Sequence, residues 1–163
     1  AVGEDLSALD DAVERLSLYV GPGQRIGIDA VETCVTRVRT ESIWSLVDAI
    51  SVKNSSLALG AASSLLADRE PALKILAMVS RRLRMIAKMR QALGTGLSPE
   101  DAAREAGAPP FKARELERSA RRFTLQHLAT AFSVVSETDG LLKGSKRPDD
   151  ALLQEAVLRL CAP

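Results

Sequence analysis

The sequence has 163 residues, a hydrophobic fraction of 46% and a formal charge of +1. That length holds one ordinary domain, or one domain and part of another, with enough apolar side chains for a core and too many for wholesale disorder. Aromatics at 3%, one His and two Cys leave little for base stacking, zinc ligation or a disulfide framework, and the near-neutral total offers no general pull toward nucleic acid or membrane.

The first residue is Ala1 rather than Met, so the chain reads as a processed or partial one, and no secretory n-region and h-region opens it. From Asp5 to Tyr19, the residues Leu6, Leu9, Val13, Leu16 and Val20 recur at helical spacing. Gly21-Pro22-Gly23 breaks that helix, and Arg25–Gly27 reads as a very short extended piece. Asp29 is expected to cap a helix running to about Arg37, with Val31, Cys34 and Val35 inward. A separate helix is expected over Ile43–Ile50. Asn54 or Ser55 then caps another, which carries Leu57, Leu59, Ala61, Ala62, Leu65 and Leu66.

Pro71–Leu93 is the longest expected helix, with Pro71 in the first turn and Gly94 just past the end. One apolar stripe runs Ala72, Leu76, Val79, Leu83, Ile86, Leu93, and Arg90 stands at its missing step. A second stripe runs Ile75, Met78, Met85, Met89, Ala92. Together they form a wide face that needs neighbours on two sides. The remaining face carries Lys74, Arg81, Arg84 and Lys88, with no acid between residues 71 and 93.

Ser98-Pro99-Glu100-Asp101 is a helix start with a capping Ser, Pro at the first position and acids in the first turn. That short helix ends at Gly107. Pro109-Pro110 opens another, through Phe111, Leu116 and Ala120. Thr124 caps a long helix whose inward face includes Leu128, Ala131, Val135 and Leu142, and Phe123 can pack on Leu128 as a staple. After Gly144-Ser145, a last helix runs from Pro148 to about Leu160. No strand alternation or internal repeat is visible. The expected class is all-α and bundle-like.

Charge is unevenly spread along this order. Residues 1–73 hold 6 Lys/Arg and 11 Asp/Glu, net −5; residues 74–122 hold 12 and 5, net +7; residues 123–163 hold 4 and 5, net −1. The basic centre could meet phosphates, each contact adding salt-dependent affinity, or could be a solvated face opposite the acidic front. Residues 98–122 loosely follow a helix–turn–helix rhythm, but two packed helices without DNA contact fit them better.

Catalytic apparatus is thin. His127, the single histidine, stands at the third position after a helix cap and reads as a surface residue. No spacing builds an acid–base dyad on it. No glycine-rich phosphate loop is present, and Asp10-Asp11 and Asp149-Asp150 read as helix acids rather than metal ligands. Cys34 and Cys161 read as buried thiols in a reducing compartment. No catalytic, metal or cofactor site is expected, and no stretch approaches the roughly 20 apolar residues that span a bilayer. Met78, Met85 and Met89 fill core gaps or line an adaptable interface. Trp44 is a core residue or an interface anchor.

The order of elements is more specific than any one motif. "SIWSLVDAI" (Ser42–Ile50) precedes a short helix of Leu/Ala pairs, then "EPALKILAMVSRRLRMIAKMRQAL" (Glu70–Leu93), "GLSPEDAAREAGAPPFKARELERSARRF" (Gly96–Phe123) and "LATAFSVVSETDGLLKGS" (Leu128–Ser145). This series resembles the C-terminal region of the delta subunit of bacterial DNA polymerase III, a clamp-loader protein. "GEDLSALDDAVERLSLYVG" and "RIGIDAVETCV" resemble the lid segment that follows its AAA+-type, ATPase-like domain. The resemblance implies a lid remnant over residues 1–41 and a helical collar over residues 42–163. It implies a cytoplasmic DNA-replication protein that joins the other clamp-loader subunits through the collar. ATP would be used by those partners, and the sliding clamp would be met only by an N-terminal domain outside this chain. The resemblance carries over no catalytic residue. Trp44, Met78, Met85 and Met89 are the candidate interface residues, and Lys74, Arg81, Arg84 and Lys88 the candidate DNA-facing ones. Two other readings stand beside it: a duplex-DNA-binding module using segment 74–122, and a helical adaptor unrelated to replication.

Overall fold

Ile28 to Ser51 form one uninterrupted helix, where the sequence suggests two. No Gly or Pro lies between them, and the polar run around Thr36–Glu41 is compatible with helix even though it carries no apolar stripe. The computed structural model describes the backbone of residues 6–162, and side chains from residue 10 onward except 32, 35–42 and 110. The expected start at Asp5 and the inward positions of Leu6, Leu9 and Val35 lie outside the described residues.

Among the described residues there are eight α-helices and one 3-10 turn, with no strand. They are α1 (Leu6–Val20), α2 (Ile28–Ser51), α3 (Ser55–Ala67), α4 (Ala72–Gly94), α5 (Pro99–Glu105), the 3-10 turn Pro110–Lys112, α6 (Ala113–Arg122), α7 (Leu125–Gly144) and α8 (Asp149–Cys161). The all-α expectation holds. The short piece at Arg25–Gly27 is coil, and Asp29 sits inside the first turn of α2 behind an N-cap Gly27 that makes no side-chain bond. There the Asp29 carboxylate meets the positive end of the helix dipole instead of capping.

Helix α4 is the axis of the fold. It packs against α2, α3, α5, α6, α7 and α8. Ala72, Ile75, Leu76, Val79, Leu83, Ile86, Met89 and Ala92 are all buried, so the two stripes do face neighbours on two sides. By contrast, among the described residues α1 packs only on α2, and its Val13, Leu18 and Tyr19 remain exposed. The division expected between residues 41 and 42 falls inside α2, whose C-terminal half supplies Ile43, Trp44, Leu46, Val47 and Ile50 to the core.

Local signals set the helix ends. The Asn54, Ser98 and Thr124 side chains accept from the backbone N–H of Leu57 (3.0 Å), Asp101 (3.2 Å) and His127 (3.1 Å) respectively. Helix α4 runs through Gly94, and the residue that ends it in left-handed geometry is Gly96 (φ 87°). There Gly96 N donates to Leu93 O and Leu97 N to Ala92 O, satisfying carbonyls of the last turn. The same bonding closes α2 and α3, with Lys53 (φ 55°) and Arg69 (φ 58°) in the position glycine prefers. Leu128, Ala131 and Val135 are buried on α7 as expected, with Phe123 in the same core. Leu57 is 62% exposed, and Phe111, in the 3-10 turn before α6, is 77% exposed. Val31 is also exposed, and Cys34 is half-buried while Cys161 is buried; both thiols are free.

Candidate functional site

The two stripes of α4 each have one gap, and an arginine fills each. In the first stripe Arg90 is half-buried, and its Nη1 donates to Ala120 O (3.2 Å) and Phe123 O (3.0 Å). It therefore satisfies carbonyls at the C-terminal end of α6 and ties that end to α4. In the second stripe, between Met78 and Met85, stands Arg82, which is 2% exposed.

Arg82 is not among the residues the sequence singles out. Its guanidinium carbon lies 3.0 Å from the centre of the Trp44 ring. The Lys112 ammonium lies 4.9 Å from the same ring. Trp44 thus has two cations against one indole, an attraction that strengthens where water is excluded. All three Arg82 side-chain nitrogens are buried without a hydrogen-bond partner among the described residues. Burial pushes the Arg82 pKa down to about 10, against the opposing pull of the Asp48 and Glu115 carboxylates. Those carboxylates are themselves engaged: Ser119 Oγ donates to Asp48 Oδ1 (2.7 Å), joining α6 to α2, and Lys112 Nζ donates to Glu115 Oε2 (2.8 Å).

Above this buried layer lies a groove of about 290 Å³ between α2, α4 and the connection from α5 to α6. Trp44, Met78 and Met85 line it together, as do Arg81, Arg82 and Lys112. The structure therefore unites three of the four candidate interface residues. The fourth, Met89, is 0% exposed; it is a core residue, because one further turn along α4 the stripe passes beneath neighbouring helices. Trp44 is 6% exposed. The core reading of it holds, and its ring also borders the groove.

The four candidate basic residues are all exposed on α4. Lys74 pairs with the buried Glu70 at 2.9 Å, so it is not an uncompensated charge. Arg81, Arg84 and Lys88 form no ion pair among the described residues. Their spacing of three and four places them on one ridge beside the groove. His127, expected at the surface, is half-buried, with Nε2 3.3 Å from Lys53 Nζ. The described residues contain no group of three or more His, Cys, Asp or Glu placed to hold a metal ion, and no helix among them is long and apolar enough to cross a membrane. What this arrangement offers chemically is recognition: an apolar floor of aromatic and methionine side chains edged by cations.

The family model described as "DNA polymerase III delta subunit, C-terminal domain" matches residues 40–160. The chain is similar to the DNA polymerase III subunit delta of Bacillus subtilis (strain 168), with 24% identity over 159 residues, 98% of this chain and 46% of that protein. Among solved structures it is similar to the Bacillus subtilis DNA clamp loader delta protein (YqeN), with a TM-score of 0.72 and 24% identity, over 96% of this chain and 46% of that one. That likeness establishes a shared fold. The chain spans less than half the length of these relatives.

Proposed function

This chain belongs to the family of C-terminal domains of the DNA polymerase III delta protein, and from that premise we propose that it is an assembly element of the replicative clamp loader. In this reading residues 42–163 are a collar that binds the other loader subunits, and residues 1–41 are the lid segment leading into it. The complex places sliding clamps on primed DNA in the cytoplasm. Partner subunits use the ATP, a preceding ATPase-like domain meets the clamp, and this chain performs no catalysis.

One observation carries the reading: the match to the family model runs across 40–160, the same stretch that holds the α4-centred core and the groove. The groove supports it further. Trp, Phe, Met and Arg are the residue types enriched where proteins meet, and they cluster here. Co-elution of the chain with the other loader subunits on size exclusion tests the proposal. A stoichiometric complex is the expected result. Elution of the chain on its own at micromolar concentrations of all subunits would count against it.

Exposed Arg84 and Lys88 are the residues we assign to the phosphates of primed DNA in the assembled loader. Duplex affinity of the complex should fall, and its salt dependence flatten, in Arg84→Ala/Lys88→Ala. Tight duplex binding by the chain alone would favour the DNA-binding-module reading instead.

A further inference from the structure

We propose that the groove beside Trp44 receives an acidic, amphipathic segment of another loader subunit, with one bulky apolar side chain seated between Met78, Met85 and Phe111 and carboxylates against Arg81. This rests on the assembly reading above and names the partner chemistry for it.

Charge decides the occupant. Three cations line the groove, Arg81, Arg82 and Lys112, and among the described residues no carboxylate does. Arg81 is exposed and forms no ion pair among the described residues. Behind it, the Arg82 guanidinium has no hydrogen-bond partner among them either. The nearest acids, Asp48 and Glu115, are bonded to Ser119 and Lys112. Lys112 is thus paired with Glu115 and Arg82 lies in the field of Asp48, which leaves Arg81 at the rim as the uncompensated cation, and a partner carrying carboxylates meets it there.

The apolar part sets the second requirement. Phe111 is 77% exposed, in a chain with only three Phe. Its burial by a partner recovers apolar surface that folding leaves in water. Met78 and Met85 are partly buried and packed on the core, so the floor is firm beneath but adaptable at the thioethers. The dimensions suit a single anchor side chain with its flanking helical turn, the mode in which an apolar face lies in a groove. An uncharged apolar segment leaves Arg81 unpaired at the rim, and a nucleic acid leaves Phe111 and the methionines without an apolar counterpart.

The test replaces Phe111 with the photo-crosslinking residue p-benzoylphenylalanine in the protein assembled with its loader partners. Phe111 is exposed, so the exchange leaves the core intact. Crosslinked peptides are then mapped by mass spectrometry. The expected adduct lies on a partner segment with two or more Asp or Glu within one helical turn of an aromatic or large aliphatic residue. Its yield should drop about tenfold in Arg81→Glu, corresponding to about 1.4 kcal/mol. The yield should hold in Arg121→Glu, which lies outside the groove. Failure of the wild-type chain to join the loader overturns the assembly reading and the docking together. A complex that forms without an adduct from position 111 overturns the docking alone. So does an adduct on a basic or uncharged segment, on DNA or on a second copy of this chain.

Discussion

The guanidinium of Arg82 is stacked 3.0 Å from the centre of the Trp44 ring, inside the protein, and none of its nitrogens has a hydrogen-bond partner among the described residues. A cation buried this way is costly, because cation–π attraction and two engaged carboxylates replace only part of its lost hydration. The stem of Arg82 meanwhile fills a core position between Met78 and Met85 on α4, so shape and charge are at odds at one residue.

Separating the two is direct. Arg82→Met keeps the unbranched stem and removes the charge; we expect the folded state to gain about 1 kcal/mol, read from urea unfolding midpoints. Arg82→Lys keeps the charge as a more strongly hydrated point and should destabilise. The pH dependence supplies a sign. With the folded pKa lowered to about 10, below the ordinary guanidinium value that the unfolded chain keeps, the folded state sheds its proton first as pH rises. The unfolded state then binds more protons between those values, and stability climbs with pH there. The advantage of Arg82→Met over the wild type should therefore narrow from pH 9 to pH 11. A constant gap contradicts the burial account.

Arg69 offers a test away from the groove. Its φ of 58° lies in the left-handed region, where it closes α3 by donating its N–H to Leu66 O at 2.9 Å. Arg69→Gly relieves a conformational cost of about 1 kcal/mol, less the added freedom of glycine in the unfolded chain. A rise in Tm of about 2–4 °C is the upper end expected. A fall would mean the side chain holds contacts of greater weight than the backbone geometry.

One surface ion pair joins α7 to α8, and another ties the connection between them to α8. Arg159 Nη2 lies 2.6 Å from Glu137 Oε2, and Arg147 Nη2 lies 2.5 Å from Glu155 Oε2. Hydrogen bonds from Arg159 and Ser133 lower the Glu137 pKa, and one from Arg147 lowers that of Glu155. Because the folded values are depressed, this stabilisation is present above the ordinary carboxylate range and lost as pH falls through the folded values. Glu137→Gln/Glu155→Gln should lower Tm slightly at pH 7 and low salt. The difference should shrink as pH falls below the ordinary carboxylate range, and shrink also in 1 M salt.

Much of the fold is legible in the chain because it is local. The oxygens of Asn54, Ser98 and Thr124 announce helix starts by chemistry confined to three residues. The stripes of α4 announce its central place by spacing alone. The continuity of α2 is not legible, because a polar stretch without a breaker leaves helix and loop equally open until the flanking turns pack. The groove is half visible: Trp44, Met78 and Met85 stand out as candidates, but nothing local says that residue 44 on α2 meets residues 78–85 on α4. Met89 is misplaced by its spacing, because helical periodicity gives a stripe its direction and not the extent of the helices that cover it. A signal for Arg82 does exist. It occupies the vacant step of the second stripe, as Arg90 does in the first, and a charge at an apolar step in a long helix marks a buried, specific contact.

The most direct test adds this chain in excess to a loader reconstituted from its full set of subunits and follows the rate of sliding-clamp loading on primed DNA. On the proposed reading the chain competes for the collar position without supplying the domains that precede it, so the rate falls with increasing chain and recovers when full-length delta protein is added back. A loading rate unchanged at saturating chain, with none of it recovered in the complex, would contradict the assembly role.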